Sequence, residues 1–291
     1  MRICNEYLQV EIAAMGAELM SIYDRKHETE LLWNGDAAYW KRRSPILFPN
    51  VGKTYGNVMR INGKSYPTSQ HGFARDMEFT LESSDETSAC FLLTSSEETL
   101  ERYPFPFELR IRYELKQDSL EVRWLVTNPG NTEMAFTIGG HPAFCFAQPG
   151  ETKEDYCLRF PKLTQLEYLL LDPASGTAKP DAKKVLPLKE GILPLTDELF
   201  ANDALILDCG QVQEVWLCHK DGTPRVGMKC PGFPNYGVWS VKGAAFVCLE
   251  PWAGRCDNCG FDSELSEKPN VNLLDPGKTF EKSYTIVLPE V

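Results

Sequence analysis

The alternation of apolar and polar residues constrains the fold of this chain more than any other feature of its sequence. Segment 107–115 alternates almost without exception, and 119–126 repeats the pattern after three polar residues. Successive side chains of a β-strand point to opposite faces of a sheet, so this pair is typical of a hairpin with one buried and one wet face. Segment 7–12 alternates in the same way, whereas helical periodicity is scarce. The sequence therefore predicts an all-β protein.

Apolar runs bounded by turn residues predict strands along the rest of the chain. They cover 19–23, 77–82, 90–94, 156–160, 204–208, 214–218, 225–229, 237–241, 244–249 and 282–288. Ser96 and Thr196 are candidate N-caps of two short helices, and the polar segment 172–184 is expected to be a long surface loop. Because the strands do not alternate with helices, we expect one large antiparallel β-sandwich or barrel domain that spans residues 1–291.

Charge and cysteine content bear on partners and compartment. The chain has 30 Lys and Arg against 41 Asp and Glu, a formal net charge of −11. An acidic surface without a basic block argues against nucleic acid or an anionic membrane as the main partner. The first residues lack the apolar core of a signal peptide, and most of the ten cysteines lie in strand-like apolar runs. We therefore expect reduced thiols, a cytoplasmic location and no membrane-spanning segment.

His141 is the clearest candidate site residue. A predicted strand, 134–138, ends in Gly139 and Gly140, and Pro142 follows the histidine. Proline favours an extended conformation in the residue before it, and glycine adopts torsions that other residues avoid. One imidazole is thus held at the end of a strand, where loops on a rigid scaffold carry sites. The alternative is a core histidine beside a tight turn, since histidine is often partly buried.

Glu250 is the second candidate, because it ends the apolar strand 244–249 and is followed by Pro251 and Trp252. A carboxylate there should be partly desolvated, and desolvation raises a carboxylate pKa toward the range useful for a general base. The alternative is a structural ion pair with Arg255, since ion-paired acids are common in such places.

The remaining histidines differ in their surroundings. His71 precedes Gly72, which lets a backbone or ligand come close, although a loop histidine bonded to backbone is the alternative. His27 and His219 lie in polar turns and are expected at the surface. The rigid, proline-containing segment 42–53 brings positive groups near an apolar turn, where a substrate anion or sugar hydroxyl could bind.

Cys256 and Cys259 form a Cys-x-x-Cys motif. A structural zinc site normally needs a second pair at similar spacing, and redox motifs of this spacing usually sit in a βαβ pattern. Neither context is present in the sequence. We therefore interpret the two residues as ordinary loop thiols and predict no metal site.

Five motifs follow one another along the chain: Ser-Pro-Ile-Leu-Phe-Pro at 44–49, His-Gly-Phe-Ala-Arg at 71–75, Gly-Gly-His-Pro-Ala-Phe at 139–144, Leu-Phe-Ala-Asn-Asp-Ala-Leu at 199–205 and Glu-Pro-Trp-Ala-Gly at 250–254. In this order they resemble the aldose 1-epimerase (galactose mutarotase-like) family, and most closely its LacX-type branch. The resemblance covers roughly residues 8–288. It implies a β-supersandwich with an open substrate cleft, and a cofactor-independent isomerase that interconverts the α and β anomers of an aldose.

The resemblance also implies roles for individual residues. Glu250 would be the general base and His141 the general acid. His71 would lie near the ring oxygen or a neighbouring hydroxyl, Asp203 would hold sugar hydroxyls, and Arg75 would contact the substrate.

The sequence departs from the better-studied mutarotases at 48–53. Those enzymes carry a sugar-binding Asn-Arg there, whereas this chain reads Phe-Pro-Asn-Val-Gly-Lys, so Lys53 is the candidate replacement. Aromatic side chains such as Trp252 or Phe144 are expected to pack on the C–H face of the sugar.

The residues leave other functions open. Arg43, Lys53 and Arg75 suit a hexose-phosphate 1-epimerase on the same scaffold, since arginine recognises phosphate well. A non-catalytic carbohydrate-binding protein is a further alternative, because fold alone never proves activity. A metal-dependent isomerase that uses His71, His141 and Glu250 is the least favoured. The expected partner is a small sugar or sugar phosphate, and the protein would be a monomer or homodimer.

Overall fold

The computed structural model describes residues 1–289 and is built almost entirely of strands. The strands are Arg2–Cys4 (β1), Leu8–Ile12 (β2), Leu19–Asp24 (β3), Thr29–Glu30 (β4), Ile46–Leu47 (β5), Val58–Ile61 (β6), Lys64–Pro67 (β7), Thr80–Ser84 (β8), Ser88–Thr94 (β9), Glu108–Lys116 (β10), Ser119–Thr127 (β11), Met134–Phe136 (β12), Ile138–Gly140 (β13), Ala143–Cys145 (β14), Tyr156–Arg159 (β15), Gln165–Leu171 (β16), Ala178–Pro187 (β17), Ile192–Pro194 (β18), Leu205–Leu207 (β19), Glu214–His219 (β20), Pro224–Lys229 (β21), Asn235–Trp239 (β22), Phe246–Ala253 (β23), Asn272–Leu274 (β24) and Thr279–Val287 (β25). The predicted all-β class is confirmed.

Two large antiparallel sheets form the body of the protein. The nine-stranded sheet has the order β18-β15-β20-β21-β25-β11-β10-β9-β8. The eight-stranded sheet has the order β17-β16-β19-β22-β23-β13-β5, with β14 also paired to β23. One continuous hydrophobic cluster contains residues of both sheets, among them Leu109 and Val122 from the first and Val238 and Leu249 from the second. The two sheets therefore pack face to face as a sandwich.

The predicted hairpin is the most regular part of the nine-stranded sheet. β10 and β11 pair in unbroken register from Glu108↔Thr127 to Lys116↔Ser119. Their burial alternates residue by residue, because one face of the pair packs on the core and the other meets water.

Helices are short, as predicted. Glu97–Arg102 is the α-helix (α1), and Ser96 caps it through a reciprocal pair of bonds with Thr99. The second predicted helix is a 3₁₀ turn, Glu198–Phe200, with Thr196 accepting from the amide of Leu199 at 3.2 Å. The other 3₁₀ turns are Tyr55–Asn57, Ala74–Asp76, Lys153–Asp155 and Leu265–Glu267. No helix among the described residues is both long and apolar enough to cross a membrane.

Two predictions about local structure are wrong. Half of the expected loop at 172–184 is strand, because β17 pairs with β16 at the edge of the eight-stranded sheet. Most side chains of β17 are exposed, so its sequence is polar and charged and lacks the apolar alternation that predicts a strand. The expected strand at 134–138 is divided, since β12 pairs with β24 in a separate sheet whereas β13 joins β23 and β5.

Strand β23 is buried along its whole length and carries two different faces. Val247, Leu249 and Ala253 belong to the core of the sandwich. Alternation therefore places the even-numbered residues, from Phe246 to Trp252, on the other face of the eight-stranded sheet. We call this second side the cleft face, because Glu250 and Trp252 line a deep cleft there.

Candidate active site

A break in the strand next to β23 brings His141 to Glu250. β13 pairs with the C-terminal part of β23, where Gly139 lies opposite Trp252. β14 pairs with its N-terminal part, where Ala143 lies opposite Cys248. His141 occupies the gap between β13 and β14 and therefore falls beside the middle of β23. The predicted position of the histidine at a strand end is confirmed.

The two glycines before His141 are needed for space and not for unusual torsion angles. A Cβ at Gly139 would lie 2.4 Å from Cδ1 of Trp252. A Cβ at Gly140 would lie 3.0 Å from the hydroxyl of Tyr284 and 3.2 Å from the ring of Trp124. Neither glycine has a positive φ. Close packing, which the sequence does not reveal, thus fixes this strand end.

The imidazole and the carboxyl form a close, buried pair. Nε2 of His141 lies 3.2 Å from Oε2 of Glu250, and the two residues are 6% and 1% exposed. Among the described residues, neither Nδ1 of His141 nor Oε2 of Glu250 has a hydrogen-bond partner. Arg255 instead binds Asp208, with Nε 2.9 Å from Oδ1, so the alternative of a structural Glu250–Arg255 pair is wrong.

Burial disfavours the charged form of both groups. It raises the pKa of Glu250 well above its ordinary value, and the charge of Asp203 adds to this rise. The indole N–H of Trp252 opposes it, although its geometry falls short of a hydrogen bond. Burial lowers the pKa of His141, and the guanidinium groups of Arg75 and Arg42 act in the same direction. Burial therefore favours the protonated, uncharged carboxyl and the uncharged imidazole.

Aromatic rings enclose the imidazole. Trp40 stacks on His141 with ring centroids 4.8 Å apart and an interplanar angle of 29°. Trp239 meets it edge-on at 5.7 Å. Both tryptophans line the cleft, yet neither was predicted as a site residue. Trp239 lies on β22, whose register with β23 puts it opposite Cys248, but Trp40 comes from a loop that no sequence pattern places here.

His71 lies next to His141, with ring centroids 5.5 Å apart. Its backbone is left-handed, with φ of 68°. Two bonds to Gly52 hold it in place: the His71 amide donates to the Gly52 carbonyl at 2.9 Å, and the Gly52 amide donates to Nδ1 at 3.1 Å. Because Nδ1 accepts, the proton of the neutral ring is on Nε2. His71 is therefore a loop histidine bonded to backbone, as the alternative interpretation expected. It also lines the cleft, where it could contact a ligand.

The cleft has a volume of about 970 Å³ and a charged rim. Arg75 donates to the carbonyl of Gln70 at 2.7 Å, while Nη2 of Arg42 lies 2.7 Å from Asp76. Burial and the neighbouring Arg42 lower the pKa of Arg75 to about 10. Lys53 packs along Gly176, and among residues 1–289 no carboxylate lies within ion-pair distance of its ammonium group. The structure therefore brings Lys53 and Arg75, two of the three predicted cations, into one cleft.

The other predicted contacts have mixed outcomes. Asp203 is exposed in the cleft, with φ of 74°. Trp252 lines the cleft but is only 4% exposed. Phe144 is fully buried in the sandwich core, so the expectation that it packs on a sugar is wrong. His27 and His219 lie outside this cleft, against a separate cavity, and Arg43 does not line the cleft.

All ten cysteines are free thiols, as expected from the sequence. Cys256 is buried and packs against Gly52, whereas Cys259 is exposed. Among the described residues, the cluster of potential metal-ligand atoms is formed by His141, Cys248 and Glu250. His71 is not part of it.

Trp252 is clamped by two glycines, which yields a prediction for stability. A Cβ at Gly237 would lie 2.2 Å from Cζ2 of Trp252, and Gly139 closes the opposite side. The ring cannot retreat, so we expect Gly237→Ala to lower the free energy of unfolding by roughly 1–3 kcal/mol or more. Urea unfolding of the two proteins measures this difference.

A second substitution tests the cause. Trp252→Phe removes the part of the ring that meets Gly237, so the cost of Gly237→Ala should be smaller in that background. An equal cost in both backgrounds would show that the clash with Trp252 is not the reason.

Comparison with known proteins gives concordant results. The model of the aldose 1-epimerase family matches residues 1–286. The chromosomal protein LacX of Lactococcus lactis subsp. lactis is 34% identical over 292 residues, which cover 98% of this chain and 97% of that protein. A galactose mutarotase related enzyme from Lactobacillus acidophilus superposes with a TM-score of 0.94 at 32% identity, over 100% of this chain and 97% of that one. A galactose mutarotase-like protein from Lactobacillus casei superposes at 0.90 with 28% identity, over 99% of both chains. The predicted galactose mutarotase-like sandwich is confirmed.

Proposed function

Because the chain belongs to the aldose 1-epimerase family, we propose that it interconverts the α and β anomers of an aldose by acid–base ring opening and reclosure. The observation that carries the proposal is the buried pair of His141 and Glu250, whose Nε2 and Oε2 lie 3.2 Å apart in the lining of the cleft. We further propose that residues 1–291 form one catalytic domain, a monomer or homodimer, that needs no metal or cofactor. Ten free thiols support a reducing compartment such as the cytoplasm.

The proton content of the pair suits this reaction. Ring opening removes the proton of the C1 hydroxyl and protonates the ring oxygen, so the acid loses one proton while the base gains one. The pair therefore carries one proton before opening and one proton after it. Burial favours the protonated carboxyl, and transfer of that proton to the imidazole, whose Nε2 lies 3.2 Å from Oε2, would prepare the base and the acid.

The proposed steps assign each group an atom of the sugar. The Glu250 carboxylate takes the C1 hydroxyl proton while the His141 imidazolium protonates the ring oxygen. The open aldehyde rotates about the C1–C2 bond, and reversal of both transfers closes the ring on the other face. Sugar hydroxyls that bind the carboxylate replace water in a buried site and stabilise its charged form.

Neighbouring groups support binding of a sugar ring. His71 presents an Nε2–H donor beside His141, and Asp203 presents a carboxylate at the rim. Trp40 and Trp239 supply the aromatic surface of the cleft, in place of the predicted Phe144. Trp252 also lines the cleft. We expect the C–H face of the sugar to pack against the exposed parts of Trp40 and Trp239.

Polarimetry of freshly dissolved α-glucose, α-galactose and other α-aldoses tests the proposal. We expect the optical rotation of at least one sugar to reach equilibrium faster with protein than with buffer alone. If sugars bind saturably, as seen by calorimetry, but none equilibrates faster, the chain is a carbohydrate-binding protein without epimerase activity.

A hexose phosphate is the second candidate substrate. Lys53 has no carboxylate partner among the described residues, and the buried Nε of Arg75 has no hydrogen-bond partner, although Oδ2 of Asp76 lies 3.7 Å from it. A phosphate on the sugar could engage both cations, since charge-assisted bonds to phosphate are strong. Comparing kcat/KM for glucose and glucose 6-phosphate separates the candidates, and a preference for the free sugar would reject the phosphorylated one.

The Lys53→Ala variant sharpens this comparison. If a phosphate binds Lys53, loss of one charged contact should lower kcat/KM for glucose 6-phosphate by roughly 10- to 100-fold. The rate on free glucose should change by less than about twofold, since no phosphate is present to lose the contact. Lys229→Ala, an exposed residue of β21, is the control. Equal losses on both sugars would place Lys53 at a sugar hydroxyl instead.

A further inference from the structure

Cys248 lies on the same strand face as Glu250, two positions earlier on β23. The mechanism above does not use its thiol. Yet His141, Cys248 and Glu250 each offer one potential metal-ligand atom, and these three atoms lie within 4.8 Å of one another. All three residues are buried, and Cys248 is not exposed at all.

The three donors match one kind of ion. Imidazole nitrogen, thiolate sulfur and carboxylate oxygen are the ligands that Zn²⁺ prefers in proteins. Two such ligands, each about 2.0–2.1 Å from a tetrahedral zinc ion, lie about 3.3 Å apart. The observed separation of Nε2 and Oε2 is 3.2 Å. Oε2 of Glu250 is buried without a hydrogen-bond partner among the described residues. An unpartnered buried oxygen costs free energy, and a bound cation would satisfy it.

Charge balance also favours a divalent cation. Metal ligands bind in deprotonated form, so Cys248 and Glu250 would coordinate as thiolate and carboxylate while His141 stays neutral. Their two negative charges neutralise Zn²⁺, so the buried site stays neutral overall. The cleft gives access, because His141 and Glu250 line it.

Two features limit the affinity. Arg42 and Arg75 repel positive charge at His141. In addition, Nδ1 of His141 has no partner among residues 1–289, whereas ligating histidines usually donate from the second nitrogen and lose roughly 10- to 100-fold in affinity without that contact. The site therefore suits reversible occupancy by a cation and not a resident cofactor.

We propose that His141, Cys248 and Glu250 form a reversible site for Zn²⁺ or a cation of the same class, and that occupancy blocks the enzyme. The cation binds the two groups that move protons, so metal and catalysis exclude each other. The inhibitory consequence rests on the proposed function, but binding itself does not.

Inhibition by zinc tests the proposal on the full-length protein. We expect ZnCl₂ to abolish anomer interconversion, EDTA to restore it, and MgCl₂ to have no effect, since Mg²⁺ prefers oxygen ligands. Cys248→Ser and Cys248→Ala should retain the activity of the native protein within about twofold, because the thiol has no catalytic role. They should need at least tenfold more zinc for half-inhibition, since zinc prefers thiolate to hydroxyl ligands.

A matched control is Cys230→Ser, which changes an equally buried thiol that donates to the carbonyl of Val212 outside the cluster. Its zinc sensitivity should equal that of the native protein. Equal zinc sensitivity of the native protein and both Cys248 variants would overturn the proposal.

Absorption spectroscopy with Co²⁺ tests metal binding independently of enzyme activity. The native protein with CoCl₂ should show the near-ultraviolet absorption band of a thiolate-to-cobalt charge transfer, and Cys248→Ser should not. An active enzyme without this band would reject the metal site alone. A band in a protein without epimerase activity would support the site and reject only the proposed function.

Discussion

Replacing Glu250 with glutamine is expected to lower kcat for anomer interconversion by about 10²- to 10⁴-fold, with sugar binding retained. The amide keeps the shape of the side chain but cannot accept the C1 hydroxyl proton, and a positioned proton transfer typically contributes a factor of this size. The variant loses the buried group that lies 3.2 Å from Nε2 of His141. Polarimetry gives the rate, and isothermal calorimetry with the same sugar gives the affinity.

Stability separates a chemical effect from unfolding. Glu250 is 1% exposed and burial raises its pKa, so an uncharged amide should not lower the thermal midpoint of unfolding. Glu114→Gln, on the outer face of β10 in the other sheet, is the matched control and should leave the rate unchanged. A Glu250→Gln enzyme of full activity would remove this residue from the mechanism.

Replacing His141 with asparagine is expected to have an effect of similar size. Asparagine can donate a hydrogen bond to the ring oxygen but cannot transfer a proton to it, so kcat should fall by about 10²- to 10⁴-fold. Because Trp40 stacks on the imidazole at 4.8 Å, the smaller side chain also loosens the aromatic wall. We therefore expect a small but measurable rise in KM for His141→Asn. For Glu250→Gln we expect no such rise.

The control for this change is His219→Asn, since His219 lies against a different cavity. It should match the native enzyme. The double variant Glu250→Gln, His141→Asn should lose little more than either single variant, because the two residues act as a unit. Additive losses would show that the two residues act independently, and unchanged kcat in His141→Asn would reject its role as the acid.

The sequence identified both members of the pair, because each ends an apolar run in an unusual context. Burial of β23 on both faces follows from its unbroken apolar run, and Glu250 is the charged exception within it. The approach of the pair could not be derived from local pattern, since it depends on the break between β13 and β14 on opposite parts of β23. The family resemblance supplied that partnership.

Residues that act through tertiary contacts were missed. Trp40 reaches His141 from a loop, and its only sequence signal is that it is aromatic. The sequence alone suggests a torsional reason for Gly139 and Gly140, because the crowding rings of Trp252, Tyr284 and Trp124 are brought to them only by the fold. Conversely, the hairpin of β10 and β11 was predicted almost to the residue, since its alternation records burial directly.

The central claim is that the His141–Glu250 pair interconverts anomers. The rate of exchange between the two anomers at equilibrium tests it most directly. Saturating the C1 proton resonance of one anomer and observing that of the other measures interconversion without any net reaction. With the native protein we expect transfer of saturation well above the level in buffer, and with Glu250→Gln we expect the level in buffer. If the native protein and Glu250→Gln transfer saturation equally across the panel of aldoses and hexose phosphates, the pair does not perform this chemistry.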